Sequence, residues 1–181
     1  MFIITSYLRT ARNNLAKDRA SLSDSILAVL RVCSGLLSSR QRTILNRELL
    51  GYLPDEVGDI LAATGEGVGG IENLPLHRFL MGYWVPLAKA ELPGWFSSGY
   101  VVEECIFYNY GMCELESILD KVSISEATWV SVIFDESNRR CFMCRTSELK
   151  NLYDRSRRNM CEIVDDIIKE IRAPKAVWGA I

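Results

Sequence analysis

The sequence predicts a helix-rich α+β fold with a small antiparallel β-sheet and a long C-terminal helix. Three observations carry that prediction. Apolar residues recur at helical spacing in three short-linked segments ahead of Gly51. Thr128-Trp129-Val130-Ser131-Val132-Ile133-Phe134 is dense in β-branched and aromatic residues, and a turn and a second strand-like run follow it. A sustained apolar stripe then runs from Leu149 to Ile171.

The elements follow in order. Ile4, Tyr7, Leu8, Ala11 and Leu15 mark a first amphipathic helix. Ser21-Leu22-Ser23-Asp24 offers a capping-box-like start to a second, with Ile26, Leu27, Leu30, Cys33, Leu36 and Leu37 on one apolar face. Ser38 or Ser39 can cap a third, with Ile44, Leu45, Leu49 and Leu50 inward. Gly51 suits the left-handed position that ends it. Short links between these helices predict a bundle-like packing.

Beyond Gly51 the pattern loosens. Asp55 to Ala63 could form two turns of helix, and Gly65-Glu66-Gly67-Val68-Gly69-Gly70 reads as a loop. His77 to Val85, closed by Pro86, and Tyr100 to Tyr110 are strand candidates. Met112 to Lys121 is predicted as a short helix. The strand at Thr128–Phe134 turns at Asp135-Glu136-Ser137-Asn138 and returns through Arg140 to Arg145 as a hairpin partner. Thr146 or Ser147 then caps the last helix, which Pro174 keeps from running much beyond Arg172. The expected organisation is a single domain over residues 1–181. Its helical part is 1–51, and its loop, small sheet and long last helix occupy 52–181. The N-terminal helices, the last helix and the sheet are expected to share one core.

Composition narrows the function classes. The chain has 181 residues, 49% of them hydrophobic, enough for a packed core. A net charge of −2 gives no bulk attraction for nucleic acid or an anionic membrane. Nucleic acid or nucleotide binding is therefore not indicated and would need a local patch. No apolar run approaches the ~20 residues of a membrane span. The first residues lack the basic region of a signal peptide, so a cytoplasmic location is expected. The six cysteines then read as reduced thiols.

Several constellations have a chemical reading and a plainer one. Gly65-x-Gly67-x-x-Gly70 spells a dinucleotide fingerprint but lacks the strand before it and the helix after it. Cys141-Phe142-Met143-Cys144 could join Cys105 and Cys113 at zinc. Residues three apart on a strand point to opposite faces, however, and buried structural thiols are the expectation. His77, the single histidine, reads as structural. Asp135 with Glu148 and Lys150 would suit a metal nuclease, but Glu148 is also what the first turn of a helix favours. No catalytic residue, metal ligand or cofactor is assigned.

The charge layout of the last helix is less ordinary. Lys150, Arg155, Arg157 and Arg158 crowd its first half; Glu162, Asp165, Asp166 and Glu170 dominate its second. That order opposes the helix dipole. Arg139, Arg140 and Arg145 approach from the hairpin. Arg139, Arg140, Arg155, Arg157 and Arg158 are therefore the candidate residues for binding a partner or an anion, with Arg155, Arg157 and Arg158 expected to stay at least partly accessible. The acidic half is a candidate second contact. Trp178 and Ile181, near the end of the sequence, are expected to dock onto the domain, with another chain as the alternative.

Three segments carry a family resemblance. Glu48-Leu49-Leu50-Gly51-Tyr52 is a helix stop, Leu74-Pro75-Leu76-His77-Arg78 a proline-led segment, and Ser147 to Arg158 a leucine-to-arginine rhythm. Together they resemble the AbiTii domain family, small bacterial proteins and domains linked to abortive infection, in which an infected cell halts phage production. The outline covers nearly the whole chain, although Leu50 is inserted in the helix stop and a tryptophan expected before it is absent. The resemblance implies a non-enzymatic antiphage-defence component acting through a protein partner or self-association. A small nuclease or nucleotide-processing toxin using Asp135, Glu148 and Lys150, and a sensor of a phosphate-bearing ligand at the arginines, are the alternatives.

Overall fold

The computed structural model describes residues 2–17, 19–53, 75–90 and 103–172. The expected helix at Asp55–Ala63, the glycine-rich loop and Trp178 lie outside them. The described elements are α1 (Phe2–Ala16), α2 (Leu22–Val32), α3 (Ser39–Leu50), a 3-10 turn at Leu76–Arg78, β1 (Phe79–Pro86), α4 (Leu87–Ala90), β2 (Glu103–Phe107), α5 (Met112–Ser125), β3 (Trp129–Asp135), β4 (Arg140–Arg145) and α6 (Thr146–Arg172). The fold is the α+β class expected, with a small antiparallel sheet and a long last helix. It falls into two compact units: residues 1–49 with 157–181, and residues 50–156.

The first unit is helical. Leu8 and Leu15 of α1 are fully buried, as their seven-residue spacing dictates. Ser21 caps α2 by accepting the Asp24 N–H at 3.1 Å. Ser38 and Gln41 form a reciprocal capping box: the Ser38 hydroxyl accepts from the Gln41 N–H at 3.2 Å, and Gln41 Oε1 accepts from the Ser38 N–H at 2.9 Å. The inward face of α2 is Leu22, Ser25, Ile26 and Val29, continued by Cys33 and Leu37. Leu36, expected inside, is exposed, because the helix ends at Val32 and a turn breaks its period. In α3 Leu45 and Glu48 are buried, whereas Leu50 is 73% exposed. A three-residue step from Leu45 lands on Glu48, so the buried stripe passes through the carboxylate.

The second half of α6 packs in this unit through Met160, Val164, Ile167 and Ile171. Polar contacts fix its position. Arg12 Nη2 donates to Asp165 Oδ2 at 3.1 Å and Gln41 Nε2 to Glu170 Oε2 at 2.8 Å.

The second unit holds the sheet, in the order β2-β1-β4-β3, all pairs antiparallel. β4 is central among the described strands, and Cys141, Phe142, Met143 and Cys144 are all buried; a strand covered on both faces has no polar side. Tyr83, Val85, Cys141 and Met143 share one face by register, while Trp84 and Phe142 pair on the other. Gly82 permits this packing: a Cβ there would stand 2.6 Å from the Phe142 ring. A bulge between Ser131 and Ile133 shifts the register of β3. At the hairpin, Asp135 accepts from the Asn138 N–H at 3.1 Å and from Arg140 Nε at 2.8 Å, and Arg139 takes a left-handed φ of 50°. Among the described residues, no helix is long and apolar enough to cross a membrane.

Candidate functional site: a junction, a dispersed arginine set and a cleft

The helix stop and the proline-led segment meet in the second unit. Gly51 has φ +95°, and it forms a bridge with Tyr110. The Tyr52 N–H donates to the Asn109 carbonyl at 2.7 Å. A side chain at Gly51 would place Cβ 2.5 Å from the Asn109 oxygen, so only glycine lets the two backbones approach. Arg78 is fully buried beside this contact. Its Nη1 donates to the Tyr110 carbonyl at 2.8 Å, and its guanidinium lies 5.5 Å from the centre of the Tyr52 ring. Phe107 packs edge-on against both Tyr52 and Phe79. The third segment arrives from α6: Arg155 Nη2 donates to the Phe79 carbonyl at 2.6 Å. The helix stop, the proline-led segment and Arg155 of α6 thus reach one structural junction. It is cemented by cations on carbonyl oxygens and aromatic rings.

Within the second unit, Arg140 and Arg155 do not share one patch. Arg140 pairs with Asp135 and lies 4.4 Å from the Trp84 ring centre, opposite Pro86 at one end of β1. Arg155 is held at Phe79, the other end of β1. Seven strand steps separate those ends, roughly 23 Å at ~3.3 Å per residue. Arg139 is exposed at the hairpin turn.

Arg157 corrects the expectation of accessibility. It is buried, 9% exposed, and its Nη1 donates to the Leu15 and Ala20 carbonyls, each at 3.1 Å. Its position on the helix puts it on the packed side, where it satisfies one carbonyl near the end of α1 and one just before α2. Arg158 is exposed in the first unit. The acidic half of α6 is also partly engaged, with Asp165 on Arg12, Asp166 on Lys169 and Glu170 on Gln41. The last described turn carries Lys169 and Arg172, which favours the dipole there.

The nuclease constellation is not assembled. Asp135 pairs with Arg140 at one end of the β3–β4 hairpin, while Glu148 follows Arg145 at the other. Five strand steps between Arg140 and Arg145 span roughly 17 Å. Hydrogen bonds from Asn138 and Arg140 hold the Asp135 carboxyl down at about 2. That makes it a fixed anion rather than a proton acceptor at neutral pH.

The cysteines separate as well. Cys141 and Cys144 are buried, and burial, with Glu148 nearby, pushes the Cys144 thiol up to about 12. Cys105 and Cys113 are exposed. Among the described residues no three His, Cys, Asp or Glu side chains stand where they could hold a metal ion. Thr146, expected as a cap, donates its hydroxyl to the Ala127 carbonyl and so ties α6 to the turn before β3.

Sequence reasoning missed one concave region. Two adjoining hollows, of about 480 and 390 Å³, share Trp129 and Arg145 as a common wall. Thr128, Thr146 and Ser147 complete the first; Met81, Gly82, Tyr83, Glu103 and Glu148 complete the second. Arg145 lies 5.4 Å from the Trp129 ring centre, and Tyr83 meets the same indole edge-on at 5.8 Å. Register brings these residues together: Tyr83 faces Glu103 across β1–β2, and Trp129 faces Arg145 across β3–β4. The sequence carried no local signal for it, because the residues come from four strands and a helix start. Comparison with protein-family models, with curated proteins and with solved structures finds no match to this chain.

Proposed function

We propose that the protein is a non-enzymatic component of a bacterial antiphage system of the abortive-infection kind, acting through protein association. One observation carries the reading. The three segments that resemble the AbiTii family, far apart in sequence, converge on the junction of Gly51, Tyr52, Arg78 and Arg155. Convergence supports the reading, because residues far apart in sequence meet where one scaffold is held together. Arg78, Arg155 and Arg157 of these segments donate to backbone carbonyls, which fits a scaffold role rather than a reaction. Asp135 stands apart from Glu148, and Arg140 from Arg155, so the nuclease and phosphate-sensor readings have no assembled site among the described residues.

The test is the light-scattering mass of the tagged protein purified from phage-infected and uninfected bacteria. Association predicts a complex larger than the 20.5 kDa chain, of fixed stoichiometry, in the infected cells. A 20.5 kDa species alone in both preparations contradicts it.

A further inference from the structure

The cleft at Trp129 has a charge balance that selects its occupant. Glu103 and Glu148 bring two negative charges to the second hollow, and Arg145 brings one positive charge. Neither carboxylate has a hydrogen bond or ion pair among the described residues. Glu148 stands in the first turn of α6. Trp129 already lies beneath one guanidinium, which shows that its surroundings suit a cation. The first hollow, lined by Thr128, Trp129, Thr146 and Ser147, presents a mainly apolar surface that suits an aliphatic stem. A phosphate would meet two carboxylates there and be repelled.

We propose that this cleft receives a basic side chain, lysine or arginine, from the partner protein, with the ammonium or guanidinium between Glu103 and Glu148 and the stem along Trp129. The inference rests on the association role above and names the chemistry of the contact. It differs from the arginine set read from the sequence, since the cleft takes a cation rather than supplying one.

The experiment uses the full chain and a blocked tetrapeptide holding one arginine, titrated while the Trp129 indole N–H signal is followed by NMR. Trp129→Phe assigns that signal. The expected result is a saturable shift with a Kd of roughly 1 mM or tighter. The same peptide with glutamate in place of arginine should give none. The variant Glu103→Gln with Glu148→Gln should keep its circular dichroism spectrum and bind at least tenfold more weakly. No saturable shift, an equal shift in the double variant, or preference for the glutamate peptide overturns the proposal. Plaque formation is measured in parallel. If the parent protects but the cleft takes no arginine, this inference falls and the association reading stands. If the parent gives no protection, the association reading itself falls.

Discussion

Replacing Gly51 by alanine tests the junction on which the account rests. Alanine must adopt φ +95°, which costs roughly 1–2 kcal/mol in left-handed backbone alone. Its Cβ would then stand 2.5 Å from the Asn109 oxygen and 2.9 Å from the Gly111 nitrogen. Both are backbone atoms, so no side chain can swing aside. Relief means moving the Gly51–Tyr52 backbone away from the Asn109–Gly111 backbone, which weakens the Tyr52–Asn109 hydrogen bond. Overpacking of this kind costs about 1–3 kcal/mol, and the expected total is about 2–5 kcal/mol. Urea unfolding followed by circular dichroism measures it. With a slope of about 1–3 kcal/mol per molar urea, the midpoint should fall by roughly 0.7 M or more. Gly35→Ala is the control, because a Cβ there meets nothing within 4 Å; its stability should change by about 0.5 kcal/mol or less. An unchanged midpoint for Gly51→Ala, or a larger loss for Gly35→Ala, would refute the reasoning.

Three further outcomes follow from the same contacts. Ile167→Ala, at a position 2% exposed, should lower stability by about 2–5 kcal/mol in the same urea assay. Arg157→Ser leaves the Leu15 and Ala20 carbonyls without their guanidinium donor and should cost about 1–3 kcal/mol, while Arg158→Ser on the exposed side should change stability by about 0.5 kcal/mol or less. The Asp135 carboxyl is depressed in the folded state from 3.8 to about 2, so its contribution is complete above the unfolded value and is lost as pH falls through the folded one. Asp135→Asn should therefore flatten the fall of melting temperature between pH 4 and pH 2, and an identical pH profile for variant and parent would contradict that assignment.

Local chemistry made some elements legible and tertiary context hid others. Ser21 and Ser38 cap helices where their spacing to Asp24 and Gln41 says they should. Gly51 ends α3 in a positive φ, and Thr128 to Arg145 folds as the hairpin its residue types demand. Leu50 and Glu48 could not be read that way. An apolar stripe does not reveal which neighbour a helix will meet, and α3 buries the glutamate while exposing the leucine. Arg157 misled for the same reason. A charge run on a helix reads as a solvated face until a backbone carbonyl is placed against it. The Trp129 cleft was invisible because its residues become neighbours only through strand register.

The central claim is a role in antiphage defence, and plating efficiency tests it most directly. A bacterial host expressing the chain is challenged with a panel of phages beside the same host carrying an empty vector. The account predicts fewer plaques for at least one phage, with infected cells ceasing growth before progeny are released. Equal plaque numbers across the panel, with the protein present and folded, would contradict it.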